Sequence, residues 1–464
     1  MPLPRIASGG RQPSGERHDT YVTTPTLPED VPTAPAPAPA RGLKGDALLM
    51  LGAKIAVLIF GAAATVIVAR SLGPSGRGTL ASAYALMTLL AQLGTFGIAS
   101  ANPYYAARDP NSRGGIAGNS VWLGVIFGSA MVLVGVGLKL VAPGALTDIG
   151  WPELAVALGA VPLVLSSLFL QSILLAEGRT VLYNAVDVAA MVLTVVLLLT
   201  VLPLDSGSVL LALCLMIGPQ AAALLVYLWA MRRHGRVLRR PDTALARRMI
   251  GYGLRAYVVT LLAYLLIRID LLLVNGIQGS KAAGQYSIAV AIADGLYLLP
   301  VSVSINMFAR VARGAERDLS VQVFQLVAVG YFLICAVAAA LAAPAIRLLF
   351  GPAYHPAVSL FLWLLPGVYC LGVLNVIAYH FAGHGLPKEL ALVWVPGLAI
   401  NLAIDLTLLP HHGTYIASIS SSIAYAIVLA LHLRMFARWL GGWSFLRPSL
   451  SGAASTVRLA LRRG

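Results

Sequence analysis

The sequence predicts an all-α polytopic membrane protein, with twelve transmembrane helices arranged in two six-helix lobes. Three observations carry this. Twelve apolar stretches, each long enough to cross a bilayer, fill the chain from about Asp46 to Arg438. Hydrophobic residues make up 58% of it and charged residues 11%, where a water-soluble domain carries about a quarter charged. Short signatures of the first half also recur in the second at one shared offset. A soluble bundle would need polar helix faces that most of these stretches lack. A membrane β-barrel would show weak alternation in short segments, not long unbroken apolar runs.

Taken in order, residues 1–44 read as a disordered cytoplasmic tail, because the first forty residues hold nine of the 27 prolines and no apolar run. No cleavable signal peptide is visible, so the first span doubles as the insertion signal. The N-terminal lobe, 45–231, takes spans at about 46–70, 79–100, 117–141, 153–175, 181–203 and 207–231. A basic cytoplasmic connector follows at 232–250. The C-terminal lobe, 251–438, takes spans at about 251–275, 283–308, 320–345, 356–381, 389–410 and 413–437. Pro300 and Pro366 interrupt intrahelical hydrogen bonds and are expected kinks. A basic tail, 439–464, closes the chain.

The net charge of +15 sets the orientation and does not call for nucleic acid. The arginines flank spans, and no nucleic-acid-binding signature accompanies them. With the N-terminus inside, the inner connectors carry Arg108, Arg113, Arg179, Arg310, Arg313, Arg317 and Lys388. The central run alone holds Arg232, Arg233, Arg236, Arg239, Arg240, Arg247 and Arg248. The outer connectors offer little beyond Arg77, Lys281 and Arg347. Both termini are therefore expected in the cytoplasm. Cys214, Cys335 and Cys370 lie far apart in apolar runs and read as small buried hydrophobes.

Gly73 and Gly78, in the short turn after span 1, recur as Gly279 and Gly284 after span 7. Glycine there lets one helix stop and the next start within a few residues. ANPYYAAR after span 2 answers INMFARVAR at the end of span 8. Both repeats begin inside, which implies two lobes related by an axis along the membrane normal, with a cleft between them.

The stretch LGPSGRGTLASAYALMTLLAQLGTFGIASANPYYAAR resembles the opening signature of bacterial polysaccharide-biosynthesis membrane proteins. These are the oligosaccharide flippases of the multidrug/oligosaccharidyl-lipid/polysaccharide exporter superfamily. The matched elements are Ala69-Arg70, Leu72-Gly73-Pro74, Gly76 through Gly78, and Leu93-Gly94. In the second half they are Arg268-Ile269-Asp270 with LLLVNG, and Ala283-Gly284-Gln285-Tyr286. The resemblance implies the exporter-superfamily fold in a bacterial cytoplasmic membrane. It also implies transfer of an undecaprenyl-pyrophosphate-linked glycan between leaflets, through lobes that alternate around a central cavity. The implied partners are the lipid-linked glycan, anionic membrane lipids and polysaccharide assembly proteins, around a monomeric transporter. No cofactor is expected, and the carboxylates within the spans are the candidates for coupling to a proton or sodium gradient.

Such a substrate needs cations for its phosphates and neutral polar groups for its sugars, because an unpaired charge in hydrocarbon is very costly. Lys54 lies about 12 Å along span 1 from its inner end; it either meets phosphate or snorkels to headgroups. Arg255, near the start of span 7, carries the same two readings. Arg268 and Asp270 are too close in sequence for a good mutual helical pair, so one can face the cavity while the other packs on a neighbour. Asp294, mid-span 8, is a coupling or charge-pair candidate, as are Asp187 and Asp405. Gln92, Asn119, Gln171, Asn184, Gln220 and Asn401 can line a polar path or make inter-helix hydrogen bonds.

No enzymatic or metal constellation stands out: His380 and His384 lack a third ligand, and no phosphate loop is present. The competing reading is an ion-coupled exporter of small amphiphilic cations, which would want carboxylates and aromatics in the cleft instead of bases. A membrane glycan polymerase or ligase would want a large outer loop bearing catalytic groups, and an assembly scaffold would need neither. The composition of the tail yields a first expectation: a truncation beginning at Arg41 inserts and purifies like the full chain, and loss of membrane-inserted protein in that variant would refute it.

Overall fold

The computed structural model describes residues 43–108, 112–205, 207–232, 241–311, 317–383 and 389–446. Residues 1–42 of the expected tail, Arg233, Arg236, Arg239 and Arg240 of the connector, Arg313, His384, Lys388 and residues 447–464 lie outside them. Among the described residues, eleven helices are long and apolar enough to cross a membrane. The first of these is two crossings. Helix α1, Leu43–Gly94, passes through Gly73, whose backbone angles (φ 64°, ψ −178°) are non-helical. Only glycine adopts that region without strain, and Pro74 then supplies the fixed φ that starts a new helix. Gly279, its counterpart in the repeat, takes nearly the same angles (φ 82°, ψ 171°) between α7, Thr243–Gln278, and α8, Ser280–Val311.

The second crossing differs from the expected 79–100 span. It begins at Pro74 and breaks after Gly94, where Phe96 and Gly97 take positive φ. The Thr95 hydroxyl caps the break by donating to the Gln92 carbonyl at 2.9 Å. The short α2, Ile98–Arg108, continues beyond it. Then follow α3, Arg113–Val141, α4, Trp151–Ala176, α5, Thr180–Thr200, and α6, Val209–Met231. After α7 and α8 come α9, Arg317–Phe350, and α10, Pro356–Gly383. The eleventh span is split into α11, Glu389–Leu392, and α12, Trp394–His412, before α13, Tyr415–Leu440. No strand occurs among the described residues.

Two hydrophobic cores account for the two lobes. One is built from buried side chains of α1 to α6, including Leu86, Phe169 and Tyr227. The other joins α7 to α13 around Tyr286, Phe361 and Phe436. The connector is shorter than 232–250, because α7 begins at Thr243. The Asp242 carboxylate caps that helix by accepting from the Leu245 N–H at 3.0 Å. Leu245 and Met249 belong to the first core, so α7 starts on one lobe and ends in the other. The C-terminal tail also begins later than residue 439: Phe445 is buried in the second core, and Gln325 donates to its carbonyl at 2.8 Å.

The prolines of α8 and α10 sit within continuous helices. At Pro366 the cause of any bend is visible. The Ser422 hydroxyl accepts from the Gly367 N–H at 3.1 Å and donates to the Trp363 carbonyl at 2.7 Å. It is thus spliced into the helical hydrogen-bond ladder.

The lobes meet backbone to backbone at the end carrying Gly73 and Gly279. A Cβ on Gly78 would strike the Ser280 carbonyl, and one on Gly284 would strike the Pro74 carbonyl. Those four residues exchange under the sequence repeat, so the contact lies on the axis relating the lobes. Arg77, one of the few basic residues expected in the outer turns, is buried there and donates to the Ser287 hydroxyl at 3.2 Å. The Arg70 guanidinium donates to the Leu348 and Leu349 carbonyls at 2.6 and 2.7 Å, and the Tyr354 hydroxyl to the Ala69 carbonyl at 2.9 Å. Burial pushes the Tyr354 phenol up to about 12, against the opposing pull of Arg77. At the opposite end, Gly97 and Gly253 touch in the same backbone-to-backbone way, and Tyr257 donates to the Leu93 carbonyl at 2.5 Å. Either Gly78→Val or Gly284→Val is expected to destabilise the protein by about 1–3 kcal/mol through overpacking, read as a lowered melting temperature in detergent. A wild-type melting temperature in both variants would rule out this contact.

Candidate functional site

The interior of the N-terminal lobe holds a polar cavity of about 250 Å³ between α1, α4, α5 and α6. Its polar lining is Ser167, Gln171, Asp187, Thr194, Gln220 and Tyr227, set in an otherwise apolar wall. Lys54 approaches from α1. Its Nζ lies 3.6 Å from Asp187 Oδ2 and donates to the Tyr183 hydroxyl at 3.2 Å. Tyr227 donates to Asp187 Oδ1 at 3.5 Å, and Gln171 donates to the Tyr227 hydroxyl at 3.1 Å. Gln220 donates to the Tyr84 hydroxyl at 3.0 Å. Tyr183 and Asp187 reach Lys54 together because residues four apart share a helix face. Lys54 remains half-exposed.

In the C-terminal lobe, Arg268 of α7 forms a 2.8 Å ion pair with Asp294 of α8, both partly exposed. Arg268 lies near enough to Tyr84 to act on it electrostatically across the lobes. Leu58 of α1 packs beside Gly295 of α8. The two basic groups thus stand on either side of the seam between α1 and α8, one in each lobe, each matched by one carboxylate. Arg255 is on α7, and its side chain lies outside the described residues.

A different arrangement holds Asp270 and Asp405, which are fully buried. Asp270 Oδ2 accepts from the Tyr286 hydroxyl at 3.3 Å and from the Ser421 hydroxyl. Asp405 Oδ1 accepts from the Ser420 hydroxyl at 2.5 Å, to which Asn401 donates at 3.2 Å. Asn401 and Asp405 are four apart on one face of α12. The second oxygen of each carboxylate and the Asn401 carbonyl lack hydrogen-bond donors. Neither carboxylate has an ion-pair partner among the described residues, and each interacts with the other. Two facing buried carboxylates repel each other unless a proton on one or a cation between them removes the repulsion. The donors are all oxygen, which suits a hard cation or a proton.

The remaining polar candidates fall elsewhere. Asn119 does not face a path: it is fully buried and clamps Asp242, donating to its carbonyl at 3.0 Å and accepting its N–H at 2.8 Å. Asn401 serves the acidic cluster and not a path. Asn184 is buried and donates to the Thr180 carbonyl at 2.8 Å. Gln92 does not line the N-lobe cavity. Sequence reasoning missed Ser420, Ser421, Tyr183, Tyr227 and Ser167. The run SISSS at 418–422, unusually polar for a span, was the one available signal.

The sequence matches the family model for polysaccharide biosynthesis proteins over residues 43–312. No curated protein matches it. The fold is similar to the inward-facing conformation of a multidrug resistance MATE family transporter of the MOP superfamily, with a TM-score of 0.64, 13% identity, and coverage of 85% of this chain and 98% of that one. It is similar to the lipid II flippase MurJ in an inward closed conformation, with a TM-score of 0.63, 12% identity, and coverage of 84% and 87%. A MOP-superfamily transporter from Pyrococcus furiosus, whose binding pocket is described as reversed in polarity, gives 0.61, 14%, and coverage of 87% and 95%. At these identities the likeness establishes the fold, that of the MOP-superfamily transporters.

Half-exposed pairs contribute little to stability, so Lys54 and Asp187 should be nearly independent in a stability measurement. In a double-mutant cycle of Lys54→Gln and Asp187→Asn, the expected coupling is about 0.2–1 kcal/mol. A coupling above about 2 kcal/mol would mark the pair as a folding element, as buried pairs are.

Proposed function

This chain belongs to the polysaccharide biosynthesis protein family, and from that premise we propose that it is a flippase for an undecaprenyl-pyrophosphate-linked oligosaccharide or a related lipid-linked glycan. It would act in the bacterial cytoplasmic membrane, with both termini cytoplasmic, as a transporter and not an enzyme. The observation that carries this reading is the pair of partly exposed bases at the seam, Lys54 and Arg268, one from each lobe. A pyrophosphate offers both an anionic partner in place of Asp187 and Asp294. Headgroup binding by one base from each lobe would draw the lobes together, and the lipid tail can stay outside, along the α1–α8 seam.

Asp270 and Asp405 supply the coupling function in this scheme. A proton or sodium ion entering between them removes the repulsion of two buried carboxylates. The pair also ties α7 to α12 and α13, so ion entry acts on α7, a helix that touches both lobes.

The competing reading is an exporter of small amphiphilic cations, and the feature in its favour is Asp187 flanked by Tyr183 and Tyr227. Lys54, 3.6 Å from that carboxylate, neutralises the group such a cation would need.

The test is reconstitution in vesicles with lipid-linked oligosaccharides, movement being read by a sugar-modifying enzyme confined to one side. Wild-type protein moves the glycan, and Lys54→Gln, Arg255→Gln and Arg268→Gln each slow it without loss of insertion. Asp270→Asn and Asp405→Asn remove the dependence on the ion gradient. Absence of transfer by well-folded wild-type protein across a panel of glycans and gradients would defeat the flippase reading. Normal transfer in all three basic variants would defeat the site assignment alone.

A further inference from the structure

We infer that the cavity inside the N-terminal lobe is a sugar subsite, receiving a pyranose ring of the glycan while Lys54 holds the adjoining phosphate. This rests on the flippase reading and adds to it a place for the neutral part of the substrate. Three features of the cavity carry the inference.

The first is its charge. Asp187 is the only ionisable carboxylate or base in the lining, and Lys54 lies 3.6 Å from it. The pair leaves the cavity neutral, so it offers no net attraction to a phosphate or to a free cation. The second is its chemistry. Gln171, Gln220, Thr194, Ser167 and Tyr227 present neutral donors and acceptors, between apolar patches from Val57, Val164 and Met191. A pyranose has the matching surface, with hydroxyls around its edge and C–H groups on its faces. Asp187 can accept from two neighbouring hydroxyls at once, as carboxylates do.

The third is an unmet hydrogen bond. Ser167 is 9% exposed and lines the cavity, yet its hydroxyl has no hydrogen-bond partner. A buried hydroxyl without a partner is unfavourable by about 1–3 kcal/mol. A Ser hydroxyl in a membrane helix usually bonds back to its own helix, as Thr194 does to the Ala190 carbonyl at 2.9 Å on the neighbouring wall. Ser167 does not; its hydroxyl oxygen is shielded from the cavity, and a rotamer change would turn it toward a bound hydroxyl group. The volume, about 250 Å³, accommodates one ring and not a chain, so the subsite reads one residue of the glycan.

The experiment compares farnesyl pyrophosphate with its N-acetylglucosaminyl, glucosyl and galactosyl derivatives, by calorimetry on the full chain in nanodiscs. The readout is the ratio of affinities, glycosylated over bare. In the wild type at least one sugar is expected to raise affinity about tenfold, the worth of one or two net hydrogen bonds. In Gln171→Met/Gln220→Met the ratio falls toward one. Ser167→Ala, which alters packing least, lowers it in the same direction. Lys54→Gln weakens both ligands together and keeps the ratio. A wild-type ratio near one for all three sugars would overturn the inference, as would a ratio that survives in the Gln variant. Tighter binding of tetraphenylphosphonium in Lys54→Gln, lost on further change of Asp187→Asn, would assign the cavity to cations and overturn it too. Failure of the wild type to bind farnesyl pyrophosphate at all strikes the flippase reading itself and removes the inference with it.

Discussion

A charge inside hydrocarbon has to meet its opposite or give up its charge, and the interior of this protein is arranged around that requirement. Lys54 meets Asp187, and Arg268 meets Asp294. Each pair joins two helices within one lobe. Asp270 and Asp405 break the pattern, since they meet each other. The first two sites are complete as they stand and can only exchange partners. The third has no ion-pair partner among the described residues and keeps two carboxylate oxygens without a donor.

Most of the architecture was legible in the sequence because hydrocarbon forces long apolar runs, and runs are a local property. The twelve crossings, the glycine turns and the two lobes follow from this. What was not legible depends on contacts between distant segments. The break at Thr95–Gly97 lies in an apolar, helix-compatible stretch, and nothing local marks it apart from the glycines. Its structural setting is the approach of Gly253. The early start of α7 at Thr243 was masked by the surrounding arginines, which read as connector. Phe445 read as tail because one aromatic in a basic stretch gives no sign of the pocket it fills.

The site divides in the same way. Arg268 and Asp270 could be recognised as unable to serve each other, since helix geometry turns residues two apart to different sides. Their true partners, Asp294 for one and the α12–α13 cluster for the other, needed the fold. Lys54 illustrates the limit: its depth in the span was readable, but whether it snorkelled or paired turned on Asp187 and Tyr183, far along the chain. Asn119 could be read as a path residue or as an inter-helix hydrogen bond, and it is a clamp, because its partner is the backbone of Asp242, which no side-chain pattern announces.

The glycine contact between the lobes has a mechanical consequence. Backbone against backbone, with no side chains between Gly78 and Gly284, buries little apolar area, and hydrophobic adhesion scales with the area buried. The joint is therefore demanding in shape but weak in glue. Beside it, Ala69 and Val66 of α1 pack on Ile288, Ile346, Phe350 and Ala357 of the other lobe, and hydrogen bonds from Arg70, Arg77 and Tyr354 add direction to that adhesion. A joint of this kind closes to a single register, because the glycine contact admits no side chain, and parting it exposes the small apolar cluster beside it.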